Sequence, residues 1–279
     1  MTSTPPTKAA VLANIDARYL AEYVCFSGQI REYVNETLGG AYRADPNPVR
    51  RSHHIISVVQ LEYAAYEDAA ALLMALMRFE SGSTSTVLET LESYAPGDAV
   101  LGKVLDSASV TDADKLYAAL GLARAIPALW SSWFPGHDLE KSLKLACRFL
   151  ALDCRANQKP DGIAAYNKSK HGPLVVGSGS VLGPHLAPAP SMFFGNKKPD
   201  ASRPGPVIVY GFPDDPAAIE EHERAVHFVQ RSLRLIVAAT LAMRYHDEVV
   251  RRFGGAEAMW NSRELVDVID FIFEITNKR

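Results

Sequence analysis

Apolar and polar positions alternate with helical spacing along most of this chain. Over residues 11–38, Tyr19, Phe26 and Tyr33 recur every seven residues, with Tyr23 and Ile30 in the neighbouring row. That pattern predicts one long helix. Gly39-Gly40 is expected to end it, as glycine does at helix C-termini. A loop with Pro46 and Pro48 follows. Residues 49–79 predict a second long helix, apolar almost all round through Ile55, Val58, Val59, Leu61, Tyr63, Tyr66, Leu72, Leu73, Leu76 and Met77. Such a helix belongs in the middle of a bundle. Gln60, Glu67 and Arg78 form a narrow polar strip, and at about 100° per residue Glu62 falls roughly opposite it. An acid among apolar neighbours must be paired or protonated. The expected partner is an Arg, Lys or Tyr.

Shorter helices are predicted at 86–94, 97–107 and 111–129, the last with a capping-box pair in Thr111 and Asp114. Asp138 starts another, to about 157. Its buried side is marked by Leu143, Cys147, Leu150 and Cys154, and its basic side by Lys141, Lys144, Arg148 and Arg155. A short helix over 163–170 is closed by Gly172-Pro173. Residues 173–216 read as a loop-rich, Pro/Gly-rich insertion. Residues 174–176, 191–194 and 207–212 are strand-like there, and a small β-hairpin is expected. The last long helix is predicted from 214 to about 253. Ile219, Val226, Val229, Leu233 and Ile236 mark its core face, and Glu220, Arg224, His227, Arg231 and Arg234 the opposite strip. Gly254-Gly255 is expected to end it, and 262–276 predicts a terminal amphipathic helix. The expectation is an all-α protein: a bundle of long antiparallel helices in one domain over 1–279, with the insertion at 173–216.

Composition adds exclusions. The 279 residues are 48% apolar and 22% charged, with a net charge of −3. This is globular composition, with no charge excess that would by itself draw nucleic acid or membrane. The three cysteines, Cys25, Cys147 and Cys154, form no CxxC pair. They fit a reducing compartment. The N-terminal residues lack a signal-peptide apolar run, and the longest apolar run, 235–243, is far short of a membrane span. The expectation is a cytoplasmic protein with no membrane partner.

Several familiar motifs fail on geometry. His222 and His227 are five apart, about 140° around a helix, so one helix face cannot present both to one metal. The glycines of 177–183 have the wrong spacing for a dinucleotide fingerprint, and prolines rather than a helix follow them. No Walker lysine motif or nucleophile elbow occurs. Arg50-Arg51-Ser52-His53-His54 reads first as a solvated helix start and second as a phosphate contact. Nothing calls for a cofactor or a metal.

One stretch gathers reactive chemistry: Tyr166-Asn167-Lys168-Ser169-Lys170-His171-Gly172. On a helix, Asn167 and His171 share a face. The amide orients a phosphate or the imidazole, and His171 is an acid or base near neutral pH. Lys168 and Lys170 attract a phosphodiester and stabilise developing charge. These parts suit metal-independent RNA cleavage. The other reading is a cationic helix end that complements the helix dipole.

Asn167-Lys168-Ser169-Lys170-His171, in a helical context, resembles the HEPN superfamily, whose members carry Arg-Asn/polar-x-x-x-His near a helix end. The resemblance implies a helical, commonly dimeric protein, and in many members a metal-independent ribonuclease of defence and toxin systems. It implies RNA or a nucleotide as ligand and a homodimer with two His171 side chains near the interface; it names no partner protein. Here Tyr166 stands where these nucleases hold Arg, and it lacks the charge that binds the scissile phosphate. The resemblance therefore equally implies an inactive relative serving as a binding or scaffold module. Separately from the resemblance, the acid placed among apolar residues of the second helix, Glu62, has a supporting role beside His171 as its other reading.

Overall fold

The computed structural model describes residues 7–26, 29–93, 104, 113–124, 139–153, 175–176, 191–194, 208–211, 215–255 and 258. These residues are overwhelmingly helical. The helices are α1 (Lys8–Cys25), α2 (Ile30–Ala44), α3 (Pro48–Glu80), α4 (Val87–Glu92), α5 (Ala113–Ala119), α6 (Leu139–Arg148), α7 (Pro216–Arg244) and α8 (His246–Phe253). A 3-10 turn, Leu122–Arg124, follows α5, and α6 widens into a π-helical turn over Phe149–Asp153. Three short strands, β1 (Val175–Val176), β2 (Ser191–Phe194) and β3 (Ile208–Gly211), form an antiparallel sheet in the order β1-β2-β3. Val175 pairs with Met192, and Phe193 with Val209. The predicted helices at 97–107, 163–170 and 262–276 lie outside the described residues, apart from Val104.

Two compact units are present. One comprises Met1–Ile30, Tyr66–Asn157 and Phe228–Arg279, the other Arg31–Ala65 and Gln158–His227. The division falls within α3 and within α7.

In the first unit, Leu20, Leu73, Leu116, Leu143, Leu150 and Leu233 are fully buried. Phe149 stacks on Phe228 at 4.4 Å between ring centroids. The polar anchor is Asp16, which is wholly buried. Its carboxylate accepts from the Val87 and Leu88 amides at 3.1 and 2.8 Å and from the Tyr245 hydroxyl at 2.6 Å. The Thr86 hydroxyl accepts from the Glu89 amide at 3.2 Å. The first three amides of α4, which have no partner inside the helix, are thereby satisfied.

In the second unit, Tyr42, Ile55 and Ile219 form a small apolar cluster. Ile56, Val58, Val59 and Val226 are buried in the same unit, alongside the polar Glu32, Asn35 and Glu62. The residues of α2 that turn inward are Glu32, Asn35, Gly39 and Tyr42, while Tyr33 and Val34 are exposed.

Three sequence expectations are corrected. The helix over 11–38 is two helices, interrupted at Phe26, whose backbone (φ −136°, ψ −58°) leaves the helical region just before Ser27-Gly28. Phe26 and Tyr33 do not mark the core face, since they are 61% and 73% exposed. Gly39-Gly40 does not end α2, which runs on to Ala44. Gly39 is there for close approach, because a Cβ on it would overlap the Glu223 carboxylate. The last long helix stops at Arg244, and Tyr245 (φ −131°, ψ 45°) separates it from α8. No glycine or proline makes that break. It falls where Tyr245 stacks on Phe79 at 6.0 Å and reaches Asp16. Gly254, at φ 78°, then ends α8 as expected.

Candidate functional site

The residues that carry the sequence-based site, Tyr166, Asn167, Lys168, Lys170 and His171, lie outside the described residues. Of the named residues, Glu62 is described, and the chemistry around it is clear. Glu62 is buried in the middle of α3. Its Oε2 is 2.5 Å from His222 Nδ1, in the second turn of α7. A histidine, which the sequence reading did not name, is thus among its partners.

The pair has a definite electrostatic character. Burial pushes the His222 imidazole down, but the hydrogen bond and charge of Glu62, with Glu221 nearby, outweigh it and raise its pKa above the ordinary 6.5. When protonated, His222 donates Nδ1–H to the Glu62 carboxylate. Burial, and then the Glu62 charge, push the adjacent Tyr63 hydroxyl up to about 12. Tyr63 is a phenol there, not a phenolate.

Five residues further along α7 the pattern repeats. His227 Nδ1 lies 3.0 Å from Glu32 Oε1, and Nε2 lies 3.9 Å from Glu36 Oε1. Between the two histidines, Glu223 forms a bidentate pair with Arg43, at 2.8 and 3.1 Å, across the bare surface of Gly39. Asn35 donates to the Glu223 carbonyl at 3.0 Å. Both histidines rejected as a zinc motif thus have partners on other helices. Among the described residues no group of three or more His, Cys, Asp or Glu side chains is placed to hold a metal ion.

A shallow groove of about 380 Å³ opens beside this seam, lined by Glu36, Arg43, Glu220, Glu223, Arg224 and His227. It is of mixed sign, and Arg43 already faces Glu223. A second cavity, about 450 Å³, lies where α7 meets α8. Its Arg244 and Arg251 are paired with Glu80 and Glu248. Neither is a bare cationic pocket for phosphate.

Sequence reasoning missed His222 as the partner of Glu62. A usable signal existed, because a buried acid needs a basic partner and His222 begins the stretch assigned to the last helix. It also missed the inward face of α2. Glu32, Asn35 and Gly39 have core spacing but not core chemistry, so an apolarity pattern cannot find them. Arg234, expected on the outer strip of the last helix, is instead buried. Its Nε donates to the Val24 carbonyl at 3.1 Å, satisfying the end of α1.

These features define a class, an all-α protein with a polar, histidine-carboxylate seam in one of its units. No family model, no curated protein and no solved structure matches the chain. No helix among the described residues is long and apolar enough to cross a membrane.

Proposed function

We propose that this chain is a HEPN-like helical protein that binds RNA or a nucleotide phosphate through Asn167, Lys168, Lys170 and His171. The observation that carries the reading is the Asn-x-x-x-His spacing in Asn167–His171 with lysines between. The helical fold class is the setting this motif requires. In the proposed reaction His171 takes the proton of a ribose 2′-OH as that oxygen attacks the adjacent phosphorus. The 5′-oxygen leaves with a proton taken from water, and His171 gives its own proton back to solvent, so the products are a 2′,3′-cyclic phosphate and a 5′-hydroxyl. Asn167 orients the phosphate or the imidazole, and the lysines stabilise the added negative charge. The expected assembly is a homodimer, as in the family it resembles.

A second reading is a non-catalytic helical module. Two observations favour it. Tyr166 occupies the position where the family holds Arg, and His222 and His227 are both engaged with carboxylates in the seam. In that reading His171 likewise holds architecture.

The discriminating experiment is cleavage of a mixed RNA pool in EDTA by wild type and by His171→Ala, purified identically, with melting temperatures measured on both. Metal-independent cleavage that His171→Ala abolishes at an unchanged melting temperature is the expected result. No cleavage by either protein, with destabilisation of His171→Ala by about 1–3 kcal/mol, selects the architectural reading.

A further inference from the structure

The cavity of about 450 Å³ at the start of α8 is lined by residues of the first unit alone. Its size is that of a small-molecule site, about 300–1,000 Å³. One side of it is apolar. Ala13 and Ala17 stand one turn apart on α1 and leave open the space that longer side chains would fill, and Met243 and Tyr245 complete the wall. The Tyr245 ring is fixed there by its stack on Phe79 and its hydroxyl bond to Asp16. The other side is charged, with Arg244, Asp247, Glu248 and Arg251. Cations and anions balance there, so the cavity favours a ligand without net charge over a phosphate or a metal ion.

Two features of the charged side are open to a ligand. The N-cap of α8, Tyr245, makes no side-chain bond to the first turn. The amides of His246 and Asp247, both on the cavity, therefore have no partner inside the helix, and with the helix dipole they favour a carboxylate. The second feature is Glu248, whose side chain is only 9% exposed. Its Oε2 is in ion-pair contact with Arg251 but receives no hydrogen bond from the described residues. Arg251 is itself shared, since its Nη2 donates to Asn14 Oδ1 at 3.2 Å. A carboxylate so buried calls for a further donor, and an ammonium group supplies one. The donor pole and the acceptor pole belong to a single turn of helix, as the carboxylate and ammonium of an α-amino acid are carried by one carbon atom.

We infer that this cavity binds a free α-amino acid with an apolar side chain. The ligand's carboxylate sits at the first amides of α8, its ammonium group on Glu248, and its side chain against Ala13, Ala17, Met243 and the Tyr245 ring. Such a ligand offers an acceptor to the amides, a donor to the acid and an apolar surface to the wall. A fatty acid or an alkylamine satisfies only two of the three. The site shares no residue with the ribonuclease reading and does not depend on it.

NMR titration of the full chain tests it, with L-leucine, L-methionine and L-phenylalanine as ligands. Two truncated forms of leucine serve as controls: isocaproate, which lacks the ammonium group, and isoamylamine, which lacks the carboxylate. At least one of the amino acids is expected to bind with a dissociation constant of about 1 mM or tighter. Each truncated form should bind about tenfold more weakly than leucine, because it leaves one pole of the site unpaired. Glu248→Gln is expected to weaken the amino acid by about tenfold and to leave isocaproate unchanged. Ala13→Phe, which fills the cavity from α1, is expected to abolish binding at a melting temperature close to that of wild type. A chain that binds none of the three amino acids overturns the inference. Isocaproate binding as tightly as leucine, or an amino acid indifferent to Glu248→Gln, overturns it as well. So does binding that persists in Ala13→Phe, which would place the ligand elsewhere.

Discussion

The Glu62–His222 pair makes a prediction at the scale of single residues. The folded-state pKa of His222 is raised above the ordinary imidazole value of 6.5. Its stabilisation is therefore present in full below 6.5 and is lost as pH rises through the raised value. Urea denaturation at a series of pH values should show stability falling above about pH 6.5 as this proton is released. Glu62→Gln should flatten that limb and cost about 1–3 kcal/mol at pH 6, since the imidazole then loses its charged acceptor. Comparing the two chains isolates the contribution of this pair. A slope unchanged in Glu62→Gln would assign the titration elsewhere. That Glu62 needs a partner was legible from its place among apolar residues of α3. That the partner is His222 was not, because the two are 160 residues apart in sequence and only the packing of helices joins them.

At the scale of elements, the glycine pair of α2 shows the limit of local rules. Both residues read as a helix stop, and both lie inside a helix. Gly40 is exposed, with nothing within 4 Å of the position a Cβ would take. Gly40→Ala should therefore stabilise by about 0.5–1 kcal/mol, the usual helix-propensity gain. Gly39→Ala gains the same propensity but must displace the Glu223 carboxylate. A double-mutant cycle should find the Arg43–Glu223 coupling lost in the Gly39→Ala background and retained in the Gly40→Ala background. Equal effects of the two alanines on stability and coupling would contradict this account. The interior of α3 and the core face of α7 were legible from periodicity, because both pack against apolar surface. The break at Tyr245 was not, since its stacking on Phe79 and its bond to Asp16 outweigh the small propensity differences that local sequence encodes.

At the scale of the molecule, the first unit hangs on one carboxylate. Asp16 joins α1 to the start of α4 and to the α7–α8 junction. Asp16→Asn would set an amide donor toward groups that themselves donate, and should destabilise by about 2–4 kcal/mol in chemical denaturation. Tyr245→Phe, which loses one hydrogen bond, should cost about 1 kcal/mol. In the double variant the Tyr245 change should cost almost nothing further, because its partner is already compromised. Additive costs would show that the three contacts act separately. By itself the sequence determined the fold class, the extent of α3, the core residues of α7 and the cap at Gly254. Those follow from apolar spacing and from glycine's access to positive φ, which are local properties. Only the tertiary structure decided that α2 turns a polar face inward, that two histidines of α7 pair with acids of α2 and α3, and that Arg234 is buried. A polar side chain takes its burial from the partner that satisfies it, and that partner lies on another helix.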